Sequence, residues 1–346
     1  MRKVTIRDVA QEAGVSPQTV SRAINDKGEI RPQTRERILH IAERLGYRPN
    51  SVARSLATRH TQNIGLVVPD VSNPFFAGVA RGIQDAADVA SYNVFLCNTD
   101  EDTERESRAI RSLEAQRVDG LILCSPRLSE QELHNLADRY QPLVLANRRI
   151  DHPRTGCVLV DDAEGAQEAV EYLLRLGHRS IGLLTGPKLS HSGQERTKGY
   201  LRAMRTHNID PSPLWRAPCA PQVEGGEAAT THLLRKTPTL TALLAYNDLV
   251  AIGALRACAE LGLHVPGDLA IIGCDDDPLA ALVSPALTTI HIPVYNMGQQ
   301  AIELLLNMMD QASSLPTPVV LSPHLVIRDS SGLPPSPPQS EPHRSL

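Results

Sequence analysis

The chain has 346 residues, 41% of them apolar and 21% charged, with a formal net charge of −4; this is long enough for more than one globular core and too balanced for a disordered or fibrous protein. It holds no run of 18 apolar residues and no apolar leader, which argues against a membrane or exported protein and for a cytoplasmic one. The charge is uneven: the first sixty residues carry 12 Lys and Arg against 6 Asp and Glu, +6, so the other 286 sum to −10, as suits a protein whose head alone meets a polyanion.

Residues 4–25, VTIRDVAQEAGVSPQTVSRAIN, predict two short helices joined by a tight turn. Thr5 is an N-cap with Asp8 three residues on, and Val9, Ala10 and Ala13 form one small apolar face. Gly14 can adopt the left-handed conformation that ends the first helix, Val15 plugs the corner, and Ser16-Pro17 restarts the chain as N-cap and first-turn proline. In the second helix Val20, Ala23 and Ile24 point inward, leaving Gln18, Ser21, Arg22 and Asn25 outward. Arg pairs bidentately with guanine and Gln with adenine, while short hydroxyls and Asn suit phosphates. A third helix, Gln33 to Leu45, opens at Pro32, buries Ile38, Ile41, Ala42 and Leu45, and closes at Gly46. The expectation is a small all-α helix-turn-helix head over residues 1–48 that reads double-stranded DNA.

The order T-I-x-D-V-A-x-x-A-G-V-S-x-x-T-V-S-R (5–22), then T-R-x-R-I (34–38), then L-G-Y-x-P-N-x-x-A-R-S-L (45–56) resembles the lactose/galactose repressor family of bacterial transcription regulators. The resemblance implies base contacts from Gln18 and Arg22, chiefly phosphate contacts from Ser16, Thr19, Ser21 and Asn25, and further DNA contacts near Thr5. Pro17 stands where relatives vary their choice of operator. For residues 49–62 the resemblance implies a hinge helix over 50–57 that pairs with its copy in the minor groove, with Asn50, Ala53 and Leu56 at the DNA and Leu56 wedged between base steps. A helix this short is marginal alone.

From Ile64 the pattern changes. IGLVV (64–68), VFLC (94–97), GLILC (120–124), LVLA (143–146), IGLLT (181–185), LTALLA (240–245) and DLAIIG (268–273) read as buried strands spaced for intervening helices. That predicts an α/β body of two doubly wound β/α subdomains. The first spans about 63–161 plus 292–322, with a helix at 296–309, and the second about 162–291 plus 323–328. The family resemblance gives this body a periplasmic-binding-protein-like (type I) architecture, with a hinge at the connections near 161, 291 and 322. The Pro/Ser-rich residues 329–346 are expected to be a disordered tail.

The six cysteines stand singly, without a C-x-x-C pair, and read as reduced core thiols. No dinucleotide, P-loop, zinc-protease or nucleophile-elbow signature occurs, so neither catalysis nor a cofactor is expected. Asp275-Asp276-Asp277 lacks the alternation of a calcium loop, and no metal is assigned.

Doubly wound sheets bind ligands beyond the carboxyl ends of their strands. Asn73, Phe75 and Phe76 follow the first strand, Asn147 and Arg148 the fourth, Arg196 the run IGLLTGP, Asn247 (with Asp248) LLAY, and Asp275 AIIGC. Two of only three Phe in the chain are adjacent here. An aromatic face ringed by Asn, Asp and Arg suits a sugar-like effector. The resemblance points to Asn73, Phe76, Asn147, Arg148, Arg196, Asn247 and Asp275. It also shows a departure, Ile292 where many relatives carry Gln, and Arg148 stands where purine-binding relatives place an aromatic. The reading is a homodimeric operator-binding repressor, with pairing of dimers into tetramers left open, controlled by a small effector. A sugar-binding transport protein would need a signal peptide, and a regulator governed by a protein partner would show no sugar-induced melting shift.

Overall fold

The structure is a computed structural model that describes residues 4–24, 28, 30–47, 60–310 and 315–333. The chain divides into two units, residues 1–62 and 63–346.

In the first unit, α1 (Ile6–Ala13) begins at Thr5, whose amide and hydroxyl both donate to the Asp8 carboxylate at 2.8 Å. It ends at Gly14, at φ 62°, a conformation that costs any side chain with a Cβ. Ser16 Oγ accepts from the Thr19 amide at 3.1 Å and starts α2 (Pro17–Ile24). α3 (Pro32–Arg44) then closes the unit. Val9, Ala10, Ala13, Val20, Ala23, Ile38, Ile41 and Ala42 make its core, with Val15, Ile24 and Leu45 packed on the rim. Two arginines of α3 satisfy helix ends that would otherwise face water. Arg37 donates to Ala13 O at 3.1 Å and Arg35 to Ala23 O at 3.2 Å, placing cations at the negative ends of α1 and α2. Asn25 and the segment 48–59, with Asn50, Ala53, Leu56 and the expected hinge helix, lie outside the described residues.

The second unit is built on two six-stranded sheets. The first contains β1 (Asn63–Val68), β2 (Asn93–Asn98), β3 (Gly120–Cys124), β4 (Leu143–Ala146), β5 (Thr155–Val160) and β11 (Val319–Leu321), in the order β11-β5-β4-β3-β1-β2. The second contains β6 (Ile181–Leu184), β7 (Arg216–Ala217), β8 (Ala242–Leu244), β9 (Ala270–Asp275), β10 (Thr288–His291) and β12 (His324–Val326), in the order β12-β10-β9-β8-β6-β7. Every pairing is parallel except β10 with β12.

The first sheet carries α4 (Pro74–Val89), α5 (Thr103–Ala115) and α6 (Glu130–Arg139), and the second carries α7 (Asp162–Arg175), α8 (His191–Thr206), α9 (Val223–Lys236) and α10 (Asp248–Glu260). After β10 the chain returns as α11 (Val294–Asp310), which packs on β3, β4, β5 and α4. The two helices meet closely at Gly82, where a Cβ would stand 2.1 Å from Tyr295 O. The chain therefore passes between sheets three times, at 161–162, 292–293 and 322–323.

Two sequence expectations change. VFLC is not a buried strand: β2 is an edge, with Phe95 44% and Leu96 43% exposed, because only β1 flanks it. The expected tail starts too early at 329. Ser330 is fully buried, its hydroxyl donating to Ile271 O at 2.6 Å and accepting from the Thr288 amide at 2.8 Å, and residues 334–346 lie outside the described residues. All six cysteines are unpaired.

Candidate effector cavity and DNA-reading face

On α2 the outward face carries Pro17, Gln18 and Arg22, all exposed, with Ser21 and Thr19 half-buried beside them and Ser16 exposed at the cap. Val20 and Ala23 occupy the opposite, buried face. This division makes Gln18 and Arg22 available to a groove, while Ser16 and Thr19, linked Oγ to Oγ1 at 2.9 Å, sit at the helix end where phosphate oxygens meet free amides. Thr5 is exposed, its hydroxyl committed to Asp8.

In the α/β unit a cavity of about 310 Å3 opens at the carboxyl ends of strands from both sheets. From the first sheet come Asn73, Phe75, Phe76 and Asn147; from the second, Arg196, Asn247 and Asp275. Asn73 caps α4, its Oδ1 accepting from the Phe75 amide at 2.9 Å, and this turns both aromatic residues toward the opening. Their rings pack edge to face, centroids 5.1 Å apart, and both side chains are more than nine-tenths buried while bordering the cavity. Asn147 sits at φ 58° and donates to Ser125 Oγ at 3.1 Å. Asn247 caps α10 by accepting from the Val250 amide at 2.9 Å.

The polar heart of the cavity is Arg196, 5% exposed. Its Nε donates to Asp162 Oδ1 at 2.8 Å, Nη1 bonds Tyr246 O, and Nη2 stands 3.8 Å from Asp275 Oδ1. The guanidinium also lies 5.4 Å from the Tyr246 ring centroid. Burial pushes both carboxyls above their ordinary range, Asp275 strongly, although Arg196 pulls the other way. Asp275 is thus the less firmly paired acid. Its backbone is held at φ 120°, a region that non-glycine residues rarely adopt. A carboxylate held this way, with only a long contact to Arg196, has capacity to accept hydrogen bonds from hydroxyls.

The other two aspartates serve the loop rather than the cavity. Asp276 accepts from Arg328 Nη2 at 2.6 Å and pairs with His291 Nδ1 at 2.9 Å; these partners bring its pKa below the ordinary value despite burial. Asp277 caps the short helical turn Pro278–Ala281 through the Leu279 amide. Behind them Asp248, 1% exposed, accepts from the Asp277 amide at 2.8 Å and from Thr289 Oγ1 at 2.6 Å, and burial lifts its pKa to about 7. The acidic trio as a whole is therefore not a ligand cluster.

Arg148 is not brought to this cavity; it lines a neighbouring one. Ile292 is 1% exposed in the core and does not border the cavity either. Sequence reasoning missed Arg127, Glu101, Ser125, Ser192 and Tyr246, all of which line it. Arg127, 4% exposed, is clamped by both oxygens of Glu101 and donates to Ser125 O at 3.0 Å, while its amide donates to buried Glu106 at 2.9 Å. Tyr246 is fixed from below by Ser190, hydroxyl to hydroxyl at 2.9 Å.

Residues 5–50 match the family described as bacterial regulatory proteins, lacI family, and residues 170–331 match a periplasmic binding protein-like domain. The HTH-type transcriptional regulator GalS of Salmonella typhimurium (strain LT2) is 38% identical over 303 residues, 88% of this chain and 89% of that protein. Catabolite control protein A of Priestia megaterium is 35% identical over 93% of this chain and 97% of its own length. Among solved structures, the lac repressor dimer bound to operator and the anti-inducer ONPF superposes with a TM-score of 0.87 at 29% identity, covering 96% of this chain and all of that one. The relatives are DNA-binding regulators rather than enzymes, and no described helix here is long and apolar enough to cross a membrane. The chain belongs to the lacI family of bacterial regulatory proteins.

Proposed function

We propose that this transcriptional regulator is a repressor that binds a palindromic operator as a homodimer and is controlled by a small sugar-like effector in the 310 Å3 cavity. The observation that carries the reading is Arg196, buried between Asp162 and Asp275 across a cavity from Phe75 and Phe76. An apolar aromatic wall opposite charged acceptors and donors is what a polyhydroxylated ring requires. The lac repressor likeness, solved with operator and an anti-inducer, supports the same pairing of DNA and small molecule.

In this reading Gln18 and Arg22 contact base edges, Thr5, Ser16, Thr19 and Ser21 border the backbone, and Pro17 occupies the position that sets the choice of operator. Asn25, Asn50, Ala53 and Leu56 are assigned to DNA on sequence alone. The effector bridges walls that belong to two sheets joined by three crossing segments, so its binding changes the relation of one half to the other and shifts the population competent for DNA.

The test separates the two sites. Arg22→Ala weakens binding to the operator by about 1–3 kcal/mol and scarcely changes binding to random DNA. Asp275→Ala and Arg196→Ala each weaken effector binding by about 1.5–3 kcal/mol and leave effector-free operator binding intact. Normal induction in both body variants would sink the cavity assignment.

A further inference from the structure

The loop that carries Asp275 into the cavity is held in a conformation it would not keep unaided. Asp275 and Asp276 are consecutive non-glycine residues with positive φ, 120° and 57°, and each such residue is disfavoured unless its surroundings impose it. The result is seen at the Asp275 carboxylate. Its Oδ1 stops 3.8 Å from Arg196 Nη2, beyond hydrogen-bond reach, although the two groups are opposite in charge and their side chains are only 10% and 7% exposed.

The restraint comes from neighbours that do not line the cavity. Asp277 is fixed through its amide, which donates to Asp248 Oδ2 at 2.8 Å. Asp276, immediately next to Asp275, is gripped twice: its carboxylate accepts from Arg328 Nη2 at 2.6 Å and pairs with His291 Nδ1 at 2.9 Å. His291 is the register partner of Asp275 on β10, and its ring lies against that of His324 on β12, centroids 4.7 Å apart. Arg328 is itself anchored. Its Nη1 donates to Leu287 O and its amide to Thr288 Oγ1, each at 2.8 Å, and the chain just beyond it is tied down at buried Ser330. The Arg328 and Asp276 side chains are 21% and 18% exposed, so water screens their pairing less than it would a surface pair. The planar fork of arginine serves the Leu287 carbonyl and the Asp276 carboxylate together, which a single ammonium matches poorly.

We infer that Arg328 is a positioning residue for the effector: by holding Asp276 it keeps the adjacent Asp275 carboxylate at the cavity and short of full pairing with Arg196. The inference rests on that cavity being the effector site. Both groups then stay available, Asp275 to accept from a ligand hydroxyl and Arg196 Nη2 to donate to one. Arg328 also lies two residues beyond β12, which pairs with β10, the strand that leads into the crossing at 292–293. One side chain thus links the segments that join the two halves to the carboxylate that meets the ligand.

A double-mutant cycle tests this, read by calorimetry on the full-length protein with D-galactose, D-glucose, D-ribose and cellobiose as probes. Arg328→Gln is expected to weaken binding of the sugar that the wild type takes by about ten-fold, but by less than about two-fold once Asp275→Asn is present, because both changes act through one carboxylate. Operator binding without sugar is expected to stay unchanged. Equal losses in the two backgrounds would mean that Arg328 only supports the fold, which overturns the inference and spares the cavity. Arg328→Lys, which keeps the cation and loses the fork, is expected to give a smaller loss, and it carries the same cycle if the glutamine variant fails to fold. A crystal structure of the effector-free variant needs no ligand. Asp275 is expected to close to hydrogen-bond distance of Arg196 or to turn out of the cavity, and an Asp275 that keeps its 3.8 Å separation overturns the positioning role. If no probe sugar binds the wild type, the sugar reading of the cavity loses its support, while that crystal structure still decides whether Arg328 positions Asp275.

Discussion

The two halves of the α/β unit present the cavity with unlike walls. The first offers Phe75 and Phe76 in edge-to-face contact, amides from Asn73 and Asn147, and one arginine, Arg127, already clamped by Glu101. The second offers Arg196 held unequally by two buried acids, with Tyr246 against it. Both halves nonetheless hide one carboxylic acid behind the loop that lines the cavity: Glu106 under the Arg127 amide and Asp248 under the Asp277 amide. The first wall is packing closed by a self-sufficient ion pair; the second is a network in which each charge depends on its neighbours.

The sharpest way to break this contrast is Asp162→Ala. It leaves Arg196 buried with the Tyr246 carbonyl and, as its one remaining carboxylate, Asp275 at 3.8 Å; breaking a buried ion pair costs about 3–5 kcal/mol. Urea denaturation of the full chain should show that loss in the α/β transition; a loss below about 1 kcal/mol would mean that water already serves Arg196. On the other wall, Phe76→Leu removes a few carbons and one aromatic contact, and should cost about 1–2 kcal/mol in the same titration. A loss as large as that of Asp162→Ala would erase the distinction between packing and network.

The smallest effect is a slope. Burial lifts Glu106 and Asp248 to about 7, from ordinary values of 4.5 and 3.8. Between those values and 7 the folded chain holds more protons than the unfolded one, so this stability is fully present at low pH and is lost as pH rises through that window. The α/β unit should therefore resist urea better at about pH 5.5 than at about pH 8, and Glu106→Gln, which keeps an oxygen for the Arg127 amide, should flatten part of that slope. An unchanged slope would place Glu106 in solvent.

What could be read from the sequence follows from how local each signal is. The head was legible because Thr5, Asp8, Gly14, Ser16 and Pro17 each govern the conformation of their own few neighbours. The strands with unbroken apolar runs were legible for the same reason. β5, TGCVLV, and β10, TTIH, were missed as strands because Thr, Gly and His interrupt them, although five of the six β5 residues are buried by the sheets and helices around them. Missing β5 also hid Asp162, which lies two residues past its end. Arg127 was within reach. The rule that picked Asn147 at the end of β4 applies equally to Ser125 and Arg127 at the end of β3, but the Pro between them reads as a plain turn. Arg148 shows the converse error: it stands at a strand edge, yet its side chain serves the adjacent cavity.

The last strand pair has a consequence for synthesis. β11 completes the first sheet against β5 and β12 completes the second against β10, and both come from residues 319–326, after everything else in the two sheets has been made. Until that short segment emerges, each half carries a bare edge: β5 is exposed on one flank and β10 on one flank. A nascent chain stalled before residue 319 would present two unpaired templates at once, the situation in which strand-to-strand aggregation begins.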